Sequence, residues 1–333
     1  FQAEDGIRDR SPSRGLGDVY KRQNGPHLAP CGSAISPIIF MANEPNDYVF
    51  LSYNQMDLDS QYGKYSDPSA AKVAISSWAE RSKDARFELD SQCDVRYGTS
   101  DSETLDIFKS NRAKPSPINI FFHGGYWRSL HKDEFSYVAY GLHQDGGITV
   151  VVNYALVTEV SLDVLVQQCR AAVSWIWINA ESFGGDRENL FVSGHSAGGH
   201  LVAMMMATDW PTFHPEMPAQ PIRGGFGISG LYDLQPIRLS FINEDLKLTA
   251  ESAKRNSPSK LERKCLAPLV LAVGQKEGEE FHRQTNCLAE AWKHIGDKPE
   301  LLVMPDQDHF SIATQLGDSK SNLSRKMHEQ MGL

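Results

Sequence analysis

The stretch 189–206, NLFVSGHSAGGHLVAMMM, restricts the fold of this chain more than any other. Leu190, Phe191 and Val192 form an apolar run of strand character. Leu201, Val202, Met204 and Met205 continue as a helix-like apolar series. Only Gly194-His195-Ser196-Ala197-Gly198 is left to turn the chain between them. A turn that tight brings strand and helix so close that side chains two residues either side of the serine would clash, which is a reason for glycine at both. G-x-S-x-G at a strand-to-helix turn is the pattern of a nucleophile elbow. It holds a serine oxygen above the carboxyl edge of a sheet and at a helix N-terminus, where partial positive charge favours a developing anion. A chance Gly-Ser loop is the alternative reading, and the flanking strand and helix patterns weigh against it.

The rest of the chain alternates in the same way. The near-continuous apolar runs 118–122 (INIFF) and 148–154 (ITVVVNY) read as parallel strands covered on both faces. Further strands are expected at 190–193, 225–229, 268–273 and 300–304, and two extended stretches, 87–94 and 96–108, as an antiparallel hairpin opening the sheet. Helices are expected at 68–86, with Pro68 in the first turn, at 133–144, and at 161–183, with Ser161 as N-cap and Gly184-Gly185 as the stop. Such alternation gives an α/β fold, a mostly parallel central sheet with helices on both faces. The Pro-rich stretch 210–221 and the polar stretch 236–264 are the expected rim or lid segments. Residues 1–23 (FQAEDGIRDRSPSRGLGDVYKRQ) lack periodicity and read as translated adapter sequence, or else as a disordered tail. The apolar run 35–40 is broken by Pro37, which makes Met41 the expected native start. Residues 1–40 are therefore expected to be a non-native or disordered leader, and 41–333 a single domain.

A formal net charge of −9 argues against nucleic acid, whose phosphates would repel the chain. It gives no attraction to an anionic membrane, and no apolar run approaches the roughly 20 residues that span a bilayer. The five cysteines, an odd count without a CxxC pair, form neither a disulfide framework nor a zinc-site spacing. No signal peptide is visible, so a reducing cytoplasm is the expected compartment. The expected partner is a small-molecule substrate, with no nucleic acid, membrane, metal or organic cofactor; a homodimer is compatible with the sequence.

An elbow serine needs a base, an orienting acid and an oxyanion hole. The order serine, acid, histidine points to His309, in the loop Pro305-Asp306-Gln307-Asp308-His309 just after the last apolar strand. His200, one helical turn beyond Ser196, is better placed for packing or hydrogen bonding. The acid should follow the strand 268–273, where Gly274-Gln275-Lys276-Glu277-Gly278-Glu279-Glu280 offers three carboxylates. Glu277 has the spacing to project back to the site, while Glu279 and Glu280 suit the first turn of the next helix. Asp233, after the preceding strand, is the rival acid, with a turn or helix cap as its alternative role. Oxyanion donors are expected from the N–H of Ala197 and from Gly124 and Gly125 in His123-Gly124-Gly125-Tyr126-Trp127, whose glycines let the backbone approach a substrate.

These motifs together resemble the kynurenine formamidase (arylformamidase) branch of the α/β-hydrolase superfamily, near the hormone-sensitive-lipase-like esterases. The resemblance runs from about Leu58 to the C-terminus. It rests on HGGYW at 123–127, GHSAGGHLVAMMMATDW at 194–210, SGLYDL at 229–234, EEFHRQ at 279–284 and DHF at 308–310. It implies Ser196 as nucleophile, His309 as base, Glu277 as acid, and hydrolysis of an aryl formamide such as N-formylkynurenine. In that setting Tyr126, Trp127 and Trp210 are expected to wall the aryl group, core packing being the alternative for each. Val157-Thr158 departs from the Ala-Pro of many relatives, and Gly278 interrupts the acid loop; both loosen the substrate assignment. An esterase of short acyl esters is the main alternative. A non-catalytic binding protein of the same fold would be expected to have lost Ser196 or His309.

Overall fold

The computed structural model describes residues 47–333, apart from 65, 67, 113 and 114. The expected leader, 1–40, lies outside the described residues; Asp47–Leu333 form one compact unit. The strands are β1 (Ser91–Arg96), β2 (Thr104–Phe108), β3 (Ser116–Phe122), β4 (Ile148–Val152), β5 (Gly185–His195), β6 (Ile222–Ile228), β7 (Leu269–Gly274) and β8 (Glu300–Met304). They form one sheet in the order β1-β2-β4-β3-β5-β6-β7-β8. β2 runs antiparallel to both β1 and β4, and every other neighbouring pair is parallel.

The helices that position the site are α1 (Gln55–Gln61), α2 (Pro68–Glu88), α3 (Leu162–Asn179), α4 (Ala197–Met206), α5 (Glu279–Ala291) and α6 (Asn322–Met331). Alternate strand residues feed two cores, because side chains alternate across a sheet. Ile118, Ile120, Phe122, Val150 and Val152 pack under α3 and α4 on one face. Phe121, Val151, Phe226 and Val270 pack on the other face under Trp78 and Ala85 of α2 and Leu323 and Met327 of α6. Both faces are covered, so every residue of β4 and β7 is buried and their sequences are near-continuously apolar. The expected parallel sheet with helices on both faces is the observed architecture.

Local differences have local causes. Helix α2 runs on to Glu88, and Phe87, expected to open an extended stretch, stands exposed on its last turn. The hairpin is therefore shorter than expected, starting at Ser91. The segment 133–144 is not one helix but two 3-10 turns, Lys132–Glu134 and Ser136–Ala139, followed by the four-residue helix Tyr140–His143. Its backbone is diverted outward: the Tyr137 N–H donates to Ser82 Oγ of α2 at 3.0 Å. Gly141 packs so close to the 316 carbonyl that a Cβ there would lie 2.1 Å from the oxygen. The strand β5 starts at Gly185, five residues before its apolar run, directly after Gly184 ends the preceding turn at φ 84°.

Of the two expected rim segments, 210–221 is mostly exposed apart from Trp210, Met217 and Pro221, while 236–264 packs against the body. In 236–264, Ile237, Ile242 and Leu246 are buried. α1 binds this region through Phe241 N–H to Asp59 Oδ1 (2.8 Å) and Gln55 Nε2 to the Leu239 carbonyl (3.0 Å). α1 itself was not anticipated, since a seven-residue helix burying only Leu58 and Asp59 shows no period. Among the described residues no helix is long and apolar enough to cross a membrane.

Lys132 fastens the segment that follows the 123–127 loop to the sheet edge. Its ammonium is buried and reaches Asp106 (2.8 Å), Asp94 (2.7 Å) and Asp133 (2.9 Å). Asp106, on β2, is itself fully buried. Lys132→Met would leave that carboxylate uncompensated, a loss on the order of 3–5 kcal/mol. A urea titration should show a clearly lower midpoint at unchanged m value. A midpoint equal to that of the parent would show that this cluster does not secure the edge.

Candidate active site

Ser196 stands between β5 and α4 with φ 57° and ψ −119°, a conformation that costs a non-glycine residue about 1–3 kcal/mol. Its N–H donates to the Ile228 carbonyl of β6 at 2.8 Å, which holds the turn in place. The glycines are required by contact. A Cβ on Gly194 would lie 2.4 Å from the Gly198 oxygen, and one on Gly198 would lie 1.9 Å from the Phe122 oxygen. β3, β5 and α4 thus meet backbone to backbone at this point.

The structure brings Ser196, His309 and Glu277 into one hydrogen-bonded line. His309 Nε2 lies 3.0 Å from Ser196 Oγ, and His309 Nδ1 lies 2.8 Å from Glu277 Oε2. A carboxylate can only accept, so the proton sits on Nδ1 and Nε2 is free to take one from the serine. The Glu277 carboxylate is fully shielded from solvent. Its second oxygen, Oε1, accepts from the Gly274 N–H at 2.6 Å and from Ser229 Oγ. Both oxygens are occupied, which fixes the carboxylate plane.

Two loops are stitched together to make this line. The Gln275 N–H donates to the Met304 carbonyl and the Lys276 N–H to the Gln307 carbonyl, each at 2.9 Å. The register of β7 against β8 therefore sets how far Glu277 stands from His309. Asp233 is turned elsewhere. Its carboxylate caps the helix Leu234–Leu239 through the Gln235 N–H (3.2 Å) and meets Arg283 at 3.4 Å.

The loop 123–127 lies against Ser196. A Cβ on Gly124 would come within 3.2 Å of Ser196 Cβ, and one on Gly125, at φ 107°, within 2.2 Å of the Ser129 oxygen. Tyr126 and Trp127 continue in left-handed backbone, at φ 49° and 57°. The N–H of Ala197, first residue of α4, belongs to the helix turn whose N–H groups have no intrahelical acceptor. Gly124 thus brings the loop backbone beside Ser196, which Ala197 follows at the helix start.

The chain is similar to several known proteins. The BD-FAE family model matches residues 105–219. A kynurenine formamidase of Danio rerio is 32% identical over 297 residues, covering 86% of this chain and 99% of the relative. That of Salmo salar is 32% identical over 292 residues, covering 84% and 97%. A solved structure from a Silicibacter species, provisionally assigned as a thioesterase, is 30% identical with a TM-score of 0.72, covering 81% of this chain and 98% of that one.

The chain belongs to the kynurenine formamidase family. It is a hydrolase with the α/β-hydrolase fold. Within this family frame several side chains have definite places. Trp127 and Trp210 do not line an open cleft, for both are fully buried. The Trp127 indole N–H donates to His200 Nδ1 at 3.2 Å, and His200 Nε2 donates to the Asn256 carbonyl at 2.8 Å. His200 therefore supports the strained loop from below, a polar tie inside the core. Trp210 packs edge-on against Phe213. Tyr126 is only partly buried, and its hydroxyl donates to the Tyr62 carbonyl at 3.2 Å.

Sequence reasoning missed Ser229, which lies in the quoted SGLYDL segment and holds the acid, and Phe281, whose ring centroid is 4.4 Å from that of His309. Ser229 stands at φ 50° as the first residue after β6, adjacent to the strand that carries Glu277. A polar residue leaving a strand next to the acid-bearing strand was the available signal. Among the described residues no group of three or more His, Cys, Asp or Glu side chains is placed to hold a metal ion.

Burial keeps His123 and His200 neutral, lowering each from 6.5 to about 4, with backbone hydrogen bonds to Gly124 and Asn256 pulling the other way. Between those values the unfolded chain binds protons that the folded chain does not. The stability of the fold is thus complete above pH 6.5 and falls as pH drops toward 4, by about 1.4 kcal/mol per pH unit for each fully titrating group. The urea midpoint should decline steadily from pH 7 to pH 5. A flat profile over that range would mean that these histidines are not buried neutral.

Proposed function

We propose that this hydrolase cleaves an aryl formamide such as N-formylkynurenine to the aryl amine and formate through a formyl-enzyme. The observation that carries the reading is the line Ser196–His309–Glu277 ending beside the Gly124 loop, in a chain of this family. Ser196 Oγ attacks the formyl carbon while His309 Nε2 takes the serine proton. The oxygen of the tetrahedral adduct is met by the N–H groups of Ala197, Gly124 and Gly125, each such donor supplying on the order of 3 kcal/mol. When the C–N bond breaks, His309 returns the proton to the departing amine. Water then attacks the formyl ester with His309 again as base, and formate leaves. Glu277 keeps the imidazole in the Nδ1–H form and stabilises the imidazolium. Tyr126 offers aromatic surface to the aryl group. The closeness of Gly124 to Ser196 suits an acyl carbon that bears only hydrogen.

The same machinery would hydrolyse a short acyl ester, a second reading favoured by the thioesterase assignment of the Silicibacter relative. The two are separated by kcat/KM on N-formylkynurenine and on p-nitrophenyl acetate. Formamide turnover should dominate, and negligible formamide turnover beside rapid ester hydrolysis would install the esterase reading. In either assay Glu277→Gln should lose about a thousandfold in kcat and Asp233→Asn less than tenfold; the reverse ranking would move the acid to Asp233. An active-site phosphonate should add a single label, at Ser196. Labelling that persists in Ser196→Ala would refute the nucleophile.

A further inference from the structure

His195 occupies the variable position of G-x-S-x-G, and its imidazole is buried at 3% exposure. Its ring centroid lies 4.6 Å from that of His309, with 46° between the planes. Behind it stands Trp78, edge-on at 6.4 Å, and the Trp78 indole N–H is fixed to Thr314 Oγ1 at 2.8 Å. On the side of the oxyanion loop, His195 Nδ1 would lie 3.4 Å from a Cβ on Gly124. One ring thus touches the loop that faces the substrate oxygen and the imidazole that moves the proton. No other side chain described above joins those two parts.

The chemistry of the ring narrows what it offers. Burial, and then the charge of His309, hold its pKa well below the ordinary histidine value, against a backbone hydrogen bond to His309 that pulls the other way, so it brings no competing charge at neutral pH. What it presents to His309 is a flat neutral surface. His309 meets two more rings, Phe281 at 4.4 Å and Phe310 at 5.6 Å, and its ionisable neighbours are Glu277, Asp308, Ser196 and His195 itself.

We propose that His195 is a positioning residue: its ring sets the plane of the His309 imidazole and its standoff from the Gly124 loop, and keeps water from that face. This rests on His309 being the base of the proposed reaction. Catalysis by a positioned base is lost by small displacements, because the proton must pass between atoms already in hydrogen-bond reach.

Two variants divide the ring from its polar atoms. His195→Phe keeps a flat ring, and His195→Asn keeps a polar group near Nδ1 without the ring. Each is assayed on N-formylkynurenine and p-nitrophenyl acetate, with active sites counted by phosphonate labelling so that misfolded enzyme drops out. His195→Asn should lower kcat per labelled site at least tenfold with KM within about twofold. Its acid limb of kcat/KM should move to higher pH, since water admitted beside His309 stabilises the imidazolium. His195→Phe should restore kcat to within about threefold of the parent and return the limb to its original place. A purely structural role would lower only the number of labelled sites or the Tm. Parental kcat and an unmoved limb in His195→Asn would overturn the proposal, as would equal impairment of the two variants. Should His195→Phe fail to fold, the His195→Asn limb alone decides. A parent chain that turns over neither substrate would instead refute the hydrolytic reading of Ser196 and His309, and this inference with it.

Discussion

The rest of the site depends on a close approach between backbones. Where β5 becomes α4, Gly198 sits against the carbonyl that ends β3, with no room for a single methyl group. That contact has two consequences at once. It forces Ser196 into a strained turn that lifts its hydroxyl clear of the sheet, and it brings the loop after β3 to the side of the hydroxyl. Ser196 and the Gly124 loop are thus placed by one packing constraint. The strain at Ser196 is held by the surrounding sheet and helix, chiefly through the bond from its N–H to β6.

The side that carries Glu277 and His309 is built from the other half of the sheet by different means. Glu277 and His309 stand on loops after β7 and β8, and backbone hydrogen bonds tie the loops to one another before any side chain is considered. Ser229, from the end of β6, then occupies the acid's second oxygen. Three neighbouring parallel strands therefore each contribute one element to the carboxylate's setting. The ring of Phe281 from α5 and the ring of His195 from the elbow complete the surroundings of His309. Position along a common sheet edge, not proximity in sequence, decides which residues meet.

Periodicity made much of this fold legible. Near-continuous apolar runs identified β3, β4 and β7 because strands covered on both faces have little polar side to show. The elbow was legible because its glycines answer a steric demand that acts within five residues. His309 and Glu277 were reachable through strand order, since a loop at a strand's carboxyl end can only project over the same edge. The segment 133–144 was not legible as two 3-10 turns and a short helix, because its backbone partner Ser82 and the partners Asp94 and Asp106 of the adjoining Lys132 come from elsewhere in the chain.

The sequence by itself determined the central strands, the sheet class and the turn at Ser196, all of which follow from short-range sterics and from which faces must be buried. It also singled out the residues that lie in one line at the site. Only the tertiary structure decided how the remaining side chains are used. It buried Trp127 and Trp210, which as free aromatic residues could equally have lined a cleft. It turned His200 into a support under the loop, and Asp233 into a helix cap facing Arg283. It brought His195 against His309, residues more than a hundred positions apart. The physical reason is the same in each case: a side chain's neighbours across the sheet and the cap are set by long-range packing, which no local pattern in the chain encodes.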